Sequence, residues 1–357
     1  MPLDHYVTLG RSGLRVSPFA LGAMTFGEDP GAAGCSVEES ERILGAYLDR
    51  GGNFIDTANF YSNGHSEKIL GDFFRAAGTR DRVVLASKFF FNMHPGDPNG
   101  GGAGRKAIRG QLDETLRRLG TDYLDLYWMH NWDRNTPVEE TLRTLDDLVG
   151  SGKVRYIGFS NVPAWVTAQA QTMAVLKGWA PLIALQVEYS LLARTVEGEI
   201  APMAKDMGLA LVPWSPLKNG FLSGKYRRNV QVTDSERVKY VGGPGEDDFK
   251  VIDVANEIAE QHDSTAAAVS LAWLRAREGT VVPIIGARRL EHLESNLEEV
   301  VLTADQLAKL DEVSKPELNY PAELHGELRA MLQFAGTTVD GEPSNIYPPL
   351  LLSDVRY

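Results

Sequence analysis

The sequence predicts a single α/β domain: a (β/α)8 barrel of the TIM type, with an N-terminal β-hairpin plug and long loops at the C-terminal face. Two observations predict it. Eight short apolar segments of strand length alternate with helical patterns, after an opening hairpin. Several of these strands end in polar or charged side chains, which a barrel gathers on one rim. A doubly wound open sheet is the runner-up. With no internal repeat and no low-complexity linker, 1–357 is expected to form one domain: 1–17 the hairpin, 18–300 the barrel, 301–357 a C-terminal helix and tail.

The 357 residues are 43% hydrophobic, enough for one large core, and the net charge of −12 argues against a nucleic-acid partner. No run reaches the length of a membrane span, and Met1–His5 lacks the basic and apolar regions of a signal peptide. One cysteine, Cys35, cannot form an internal disulfide, which makes a cytoplasmic setting the default expectation. No base that could activate its thiol is evident nearby in sequence.

The hairpin pairs His5–Leu9 with Leu14–Ser17 around Gly10–Gly13. Pro18–Gly22 follows as a buried strand. Ser36 and Glu39 predict a capping box for a helix with Ile43, Leu44, Tyr47 and Leu48 on one face. Asn53–Ile55 is the next strand, delivering Asp56 at its tip. The loop beyond carries Tyr61, and Ser66 is expected to cap a helix with Glu67 in its first turn. Arg82–Lys88 and Tyr123–His130 are strands ending in lysine and histidine; between them Gly120 closes a helix with Ile108, Leu112, Leu116 and Leu119 inward. Thr136–Pro137–Val138–Glu139 opens a helix with Thr136 as its cap. The remaining strands are Tyr156–Asn161, Leu182–Gln186, Ala210–Trp214 and Val281–Gly286, with helices over Ala266–Ala276 and Arg289–Glu299. The tail from Asn319 shows few caps and is read as a cover or a loose end.

Asp56, Tyr61, Lys88 and His130 come from three successive βα units, which places them side by side on a barrel rim. Each alone is an ordinary turn, surface or core residue. Together they suit acid–base chemistry at an oxygen. An ammonium beside a phenol stabilises phenolate, so Lys88 is expected to lower the Tyr61 pKa. Asp56 would hold the lysine, and a neutral histidine can orient a carbonyl oxygen.

The chain resembles the aldo-keto reductases, in the branch with potassium-channel β subunits and bacterial aryl-alcohol and sugar-aldehyde reductases. The resemblance rests on Asp56–Tyr61 with Gly64–Glu67, Leu119–Tyr127 through His130, Gly158–Asn161, Pro213–Leu217 and Gly220–Lys225. It implies that Asp56, Tyr61, Lys88 and His130 are the catalytic tetrad. It also implies NADPH/NADP+ as cofactor, held without a Gly-x-Gly-x-x-Gly turn, which this chain lacks. The implied cofactor contacts begin with Gly22, Met24 and Asp56. Ser160, Asn161 and Gln186 are implied on the carboxamide and Trp214 on the nicotinamide ring. Ser215, Pro216, Leu217, Gly220, Leu222 and Lys225 would follow the pyrophosphate. Ile285, Gly286, Arg288, His292 and Asn296 would hold the adenosine end. The chain departs from many relatives at His292, Ser295 and Lys218–Asn219.

The expected function is reversible reduction of an aldehyde or ketone, with Tyr61 as general acid. Phe26, Phe60, Phe89, Phe90 and Trp128 suggest an aromatic pocket for a bulky apolar carbonyl. A cofactor-sensing regulatory subunit with slow turnover is the alternative; the lack of an evident partner-binding extension before Pro2 favours the enzyme. A metal-dependent hydrolase would want paired histidines on an early strand, and none stands there, so no metal is expected. The expected partner is a small carbonyl or alcohol; the reading leaves a homo-oligomer open. Arg288 and Arg289, opening a helix after Gly286, form a phosphate-seeking corner that predicts preference for NADPH over NADH.

Overall fold

The computed structural model describes residues 2–28, 34–228 and 242–352. Residues 29–33 and 229–241, within long loops that the sequence places around the C-terminal face, and 353–357 of the tail lie outside the described residues.

A hairpin of β1 (Val7–Thr8) and β2 (Arg15–Val16) precedes eight parallel strands. These are β3 (Ala20–Gly22), β4 (Phe54–Asp56), β5 (Val84–Phe89), β6 (Leu124–Met129), β7 (Val154–Ser160), β8 (Leu182–Glu188), β9 (Ala210–Trp214) and β10 (Ile284–Gly286). Their order is β10-β3-β4-β5-β6-β7-β8-β9. A single bridge between Leu211 and Val281 brings the two edges together, with Leu211 N donating to Thr280 O and Val282 N to Leu211 O, both at 2.9 Å. The expected barrel is therefore present, and the open sheet is not.

Strand side chains alternate between two cores, because successive Cβ atoms point to opposite faces. Ala20, Phe54, Val84, Ala86, Leu126, Trp128, Ala184, Ala210, Val212 and Ile284 fill the barrel interior. Leu21, Ile55, Leu85, Phe89, Tyr127, Ile157, Phe159, Leu185 and Ile285 face the surrounding helices. Leu9 and Val16 of the hairpin join the interior set, so the hairpin plugs one end. Gly10 sits so close to β8 that a Cβ would lie 2.1 Å from Ile183 O, and its φ is +61°; only glycine fits there.

Helix ends differ from the sequence reading in instructive ways. In helix Val37–Asp49 the Ser36 side chain accepts from Glu39 N as expected, but the Glu39 carboxylate does not reach back. It accepts instead from Leu290 N, at the start of helix Leu290–Asn296. Ser66 is not a cap: it lies inside helix His65–Ala77, fully buried, bonded to Ala23 O and Thr57 Oγ1. Thr136 is one residue too early to cap Val138–Gly150 and turns to Asp133; Pro137 is the N-cap residue. Each of these side chains found a tertiary partner that a local pattern cannot see. Helix Arg105–Leu119 ends at Gly120 in the left-handed region, as expected.

After helix Ala304–Val313 the chain crosses Gly198, where Leu318 and Ala322 close in. The tail then holds a helix, Glu327–Phe334, a small hairpin (Thr338–Val339 with Glu342–Pro343) and a last turn of helix, Pro348–Leu351. The sequence reading placed none of these. No helix among the described residues is long and apolar enough to cross a membrane.

Tyr47 ties the first strands together. It is fully buried, and its hydroxyl lies 2.7 Å from Ser17 Oγ, 2.8 Å from Phe19 O and 2.9 Å from Phe54 O, while accepting from Phe54 N at 3.1 Å. Tyr47→Phe leaves these buried groups short of a partner. Denaturant unfolding of Tyr47→Phe should show a loss of about 1–3 kcal/mol, and an unchanged midpoint would place the hydroxyl outside the folding energetics.

Candidate active site

The alternation that fills the barrel also builds its mouth. Gly22, Asp56, Lys88, Ser160, Gln186, Trp214 and Gly286 stand at the C-terminal ends of their strands with the parity of the interior residues. Ladder bonds continue past the strand ends: Ala23 N to Asp56 O, Asn59 N to Lys88 O, His130 N to Phe89 O and Asn161 N to Gln186 O. The residues just beyond the strands are therefore held as firmly as the strands.

Lys88 is the centre. Its side chain has no exposed surface, and Nζ lies 2.5 Å from Asp56 Oδ2, 2.8 Å from Thr57 O and 3.1 Å from Tyr61 OH. Gln186 Nε2 donates to the other Asp56 oxygen at 2.9 Å, from the far side of the barrel. Burial alone would lower the Lys88 pKa, but Asp56 and then Tyr61 outweigh it, and the pKa is raised. The site therefore holds an ammonium. The expectation for Tyr61 is corrected: burial raises its pKa more than Lys88 lowers it, so the phenol keeps its proton through the neutral range.

Tyr61 sits in a turn in which Ser62, Asn63 and Gly64 all have left-handed φ, 47°, 53° and 86°. Beneath the turn, a Cβ on Gly64 would meet Arg118 Cδ at 2.8 Å. Arg118 Nε bonds the fully buried Glu67 at 2.6 Å, and Glu67 accepts from Ser87 Oγ, the neighbour of Lys88. The sequence reading placed Glu67 only in the first turn of its helix, where a carboxylate complements the dipole. Its spacing from Tyr61 could not reveal the arginine, which comes from another helix.

His130 is edge-on to Tyr61, with ring centroids 6.0 Å apart. Burial, then the Lys88 charge, lowers its pKa to about 2, so it is a neutral imidazole. Its Nδ1 is buried with no hydrogen-bond partner among the described residues. Phe60 and Phe91 pack around it at 5.4 and 4.9 Å. Of the expected pocket walls, only Phe60 takes such a place. Phe26, Phe89 and Trp128 are wholly buried: Phe89 follows Lys88 and so faces the helix layer, Trp128 fills the barrel interior, and Phe26 lies in the outer core. Phe91, which the sequence reading passed over, stands at the mouth instead.

Around the rest of the rim, Trp214 Nε1 donates to Asn161 Oδ1 at 3.0 Å, and Asn161 Nδ2 to Ser160 Oγ at 3.1 Å. Asn161, Ser215, Lys218 and Asn219 all have positive φ, an uncommon concentration for residues other than glycine. Lys218 pairs with Glu188 at 2.6 Å across the loop that follows β9. A Cβ on Gly220 would lie 3.8 Å from Lys225 Nζ. Leu222, Ile285 and Pro216 have buried side chains, so only their backbones can face a ligand, whereas Met24 is exposed. At the far end, burial and the charges of Arg289, Arg288 and Lys225 depress the His292 pKa, which puts these cations within one corner. Neither Arg288 nor Arg289 has an ion-pair partner among the described residues. Asn296 Nδ2 donates to Gly286 O at 3.4 Å.

The neutral state of His130 has a measurable consequence. The unfolded chain takes up a proton near the ordinary histidine pKa of about 6.5, while the folded site does not until about pH 2. Stability is therefore full above about pH 6.5 and falls as pH drops, by up to about 1.4 kcal/mol per unit from this group. Unfolding at pH 7 and pH 5 should show a smaller acid loss in His130→Gln than in the wild type. Equal losses would mean that His130 protonates freely when folded.

The Aldo/keto reductase family profile matches residues 18–315. The chain is 33% identical over 330 residues to the putative aryl-alcohol dehydrogenase AAD14 of Saccharomyces cerevisiae, covering 88% of each protein. It is 38% identical over 313 residues to the uncharacterized oxidoreductase YrpG of Bacillus subtilis, covering 85% of this chain and 93% of that one. It is 32% identical over 340 residues to the aryl-alcohol dehydrogenase [NADP(+)] of Phanerodontia chrysosporium, covering 88% and 87%. Aldo-keto reductases use nicotinamide cofactors. With the barrel, its mouth and these matches in agreement, the chain belongs to the aldo/keto reductase family.

Proposed function

We propose that the protein is an NADPH-dependent reductase of aldehydes or ketones, reversible toward the alcohol, with Asp56, Tyr61, Lys88 and His130 as its catalytic groups. One observation carries the reading: a buried ammonium touching both a carboxylate and a phenol at the barrel mouth. The same contact that helps hold the ammonium leaves the Tyr61 hydroxyl at the barrel mouth with a cation beside it.

The mouth fits a dinucleotide by its donor set. The unpaired polar atom on His130, the amide side chains of Asn161 and Gln186, and the Trp214 ring gather at the tetrad end. Ser160 and Asn161 would hold the carboxamide, with Gln186 and Asp56 beside it and Trp214 against the ring. Gly22 and Met24 would border the nicotinamide end. The positive-φ turn of Ser215 to Gly220, followed by Leu222 and Lys225, would take the pyrophosphate. Gly286, Arg288, His292 and Asn296, with the Ile285 backbone, would hold the adenosine end. When bound, the nicotinamide supplies a hydride to the carbonyl carbon.

The chain's own groups do the rest. Tyr61 OH carries the proton that passes to the carbonyl oxygen. Lys88 stabilises the phenolate left behind, and Asp56 fixes the ammonium. His130, being neutral, offers an N–H to orient the oxygen without competing for the proton. Because the Tyr61 pKa is raised, the reducing direction keeps its proton donor through neutral pH, and alcohol oxidation gains with rising alkalinity. An aryl or similarly bulky carbonyl suits the Phe60 and Phe91 rings, in keeping with the aryl-alcohol dehydrogenase names of relatives.

Tyr61→Phe should lower turnover by about 10²–10⁴-fold while NADPH still binds in a fluorescence titration. Full turnover in that variant would sink the mechanism.

Dinucleotide choice follows from the far corner. Glu39 already occupies the amide of Leu290, so the helix terminus itself has less to offer an anion than the sequence suggested. The guanidinium of Arg288 is left to carry the preference, with Arg289 in support. One charge-assisted contact is worth about 1.5–3 kcal/mol, or roughly tenfold and more in affinity. Arg288→Ala should therefore weaken NADPH by about tenfold or more and NADH far less, read from paired titrations. Equal loss for both cofactors would put Arg288 away from the 2′-phosphate.

A further inference from the structure

The turn after β5 presents Phe91 to the tetrad, and it is held in a way that ordinary packing does not call for. Phe91 meets His130 edge-on, with centroids 4.9 Å apart and planes at 88°, and lies 4.2 Å from Phe60. More than a third of its surface, 37%, is open. The residue before it, Phe90, has φ 128°, a backbone region that favours glycine. Such a conformation persists only where its surroundings fix it from several sides.

Two buried amides do so here. Gln111 Oε1 accepts from Phe90 N at 2.9 Å and from Asn59 Nδ2 at 2.8 Å. Asn59 Nδ2 also lies 3.2 Å from Phe91 O. Gly102 N donates to Phe90 O at 2.7 Å, so both backbone groups of the strained residue are bound. Asn59 and Gln111 are themselves nearly fully buried. Asn59 lies between Asp56 and Tyr61 in the chain, and its own N–H is bonded to Lys88 O. The segment that carries the acid chemistry therefore also holds the backbone from which the Phe91 ring projects.

We infer that Phe91 is a specificity-determining wall that selects ring-bearing carbonyls, and that Asn59 and Gln111 are positioning residues acting through it. The inference rests on the carbonyl-reductase reading above. A ring on the carbonyl carbon of a substrate oriented by His130 would come against the open part of Phe91, while a short alkyl chain would leave it uncovered.

The test compares benzaldehyde with propanal in the full-length protein, as the ratio of their kcat/KM values. Phe91→Ala should lower the ratio by roughly three- to tenfold, the worth of one aromatic pair. Gln111→Met removes the shared acceptor and should lower the ratio in the same direction. Gln111→Glu keeps an oxygen at that place and should restore most of it. In the double variant Phe91→Ala/Gln111→Met the ratio should fall no further than in Phe91→Ala, because one residue acts through the other. An unchanged ratio in Phe91→Ala overturns the inference while leaving the reductase reading intact; fully additive losses overturn the positioning role. A wild type that reduces neither aldehyde with either dinucleotide overturns the carbonyl-reductase reading, and this inference with it.

Discussion

Everything at the barrel mouth depends on burying one lysine in its charged form. Lys88 has no exposed surface, and an isolated ammonium in such a place would lose its proton. It stays charged because a carboxylate, a carbonyl and a phenol all lie within 3.1 Å. That demand reaches outward. Asp56 must be fixed, and Gln186 holds its second oxygen from across the barrel. Tyr61 must be fixed, and it rides on a left-handed turn underpinned by the half-buried Arg118 and its buried partner Glu67. Removing one member of a buried pair leaves a charge without compensation, typically a loss of about 3–5 kcal/mol. The chemistry and the stability of this side of the barrel therefore share the same residues.

Strand parity explains how much of this could be read in advance. Asp56, Lys88 and His130 were legible because each ends an apolar strand, and one rule of alternation sends all three toward the axis. The same rule corrects the aromatic pocket. Phe89 follows Lys88 and must face the helices, as Phe159 and Leu185 do on their own strands. Trp128 has the inward parity, but its fully buried ring fills the room left by Gly158, where a Cβ would lie 2.3 Å from it. Composition pointed to aromatics, whereas position along the strand decides which of them reach a ligand.

What could not be read was set by contacts distant in sequence. Glu39 looked like half of a capping box and serves the start of a helix 251 residues away. Ser66 and Thr136 looked like caps and found other partners. Tyr61 looked like a phenol whose pKa an ammonium would lower; burial reverses the sign. In each case the local pattern was sound and a tertiary partner outweighed it. Phe91 gave no signal at all, since its placement follows from a strained neighbour and two buried amides rather than from any spacing.

The two ends of the mouth are built on different physics. At the tetrad, charges are buried, paired and insensitive to salt. At the far corner they are Arg288, half-buried, and Arg289, exposed, in a protein whose net charge is −12. A dinucleotide phosphate approaching such a surface is repelled at long range, but at physiological salt that field is screened beyond about 8 Å. Two guanidiniums without carboxylate partners among the described residues then act at contact. Had either been paired as Arg194 is with Glu197, a phosphate would first have to displace a carboxylate. On the proposed reading, two arginines with no ion pair among the described residues are what let an acidic protein hold a polyanionic cofactor.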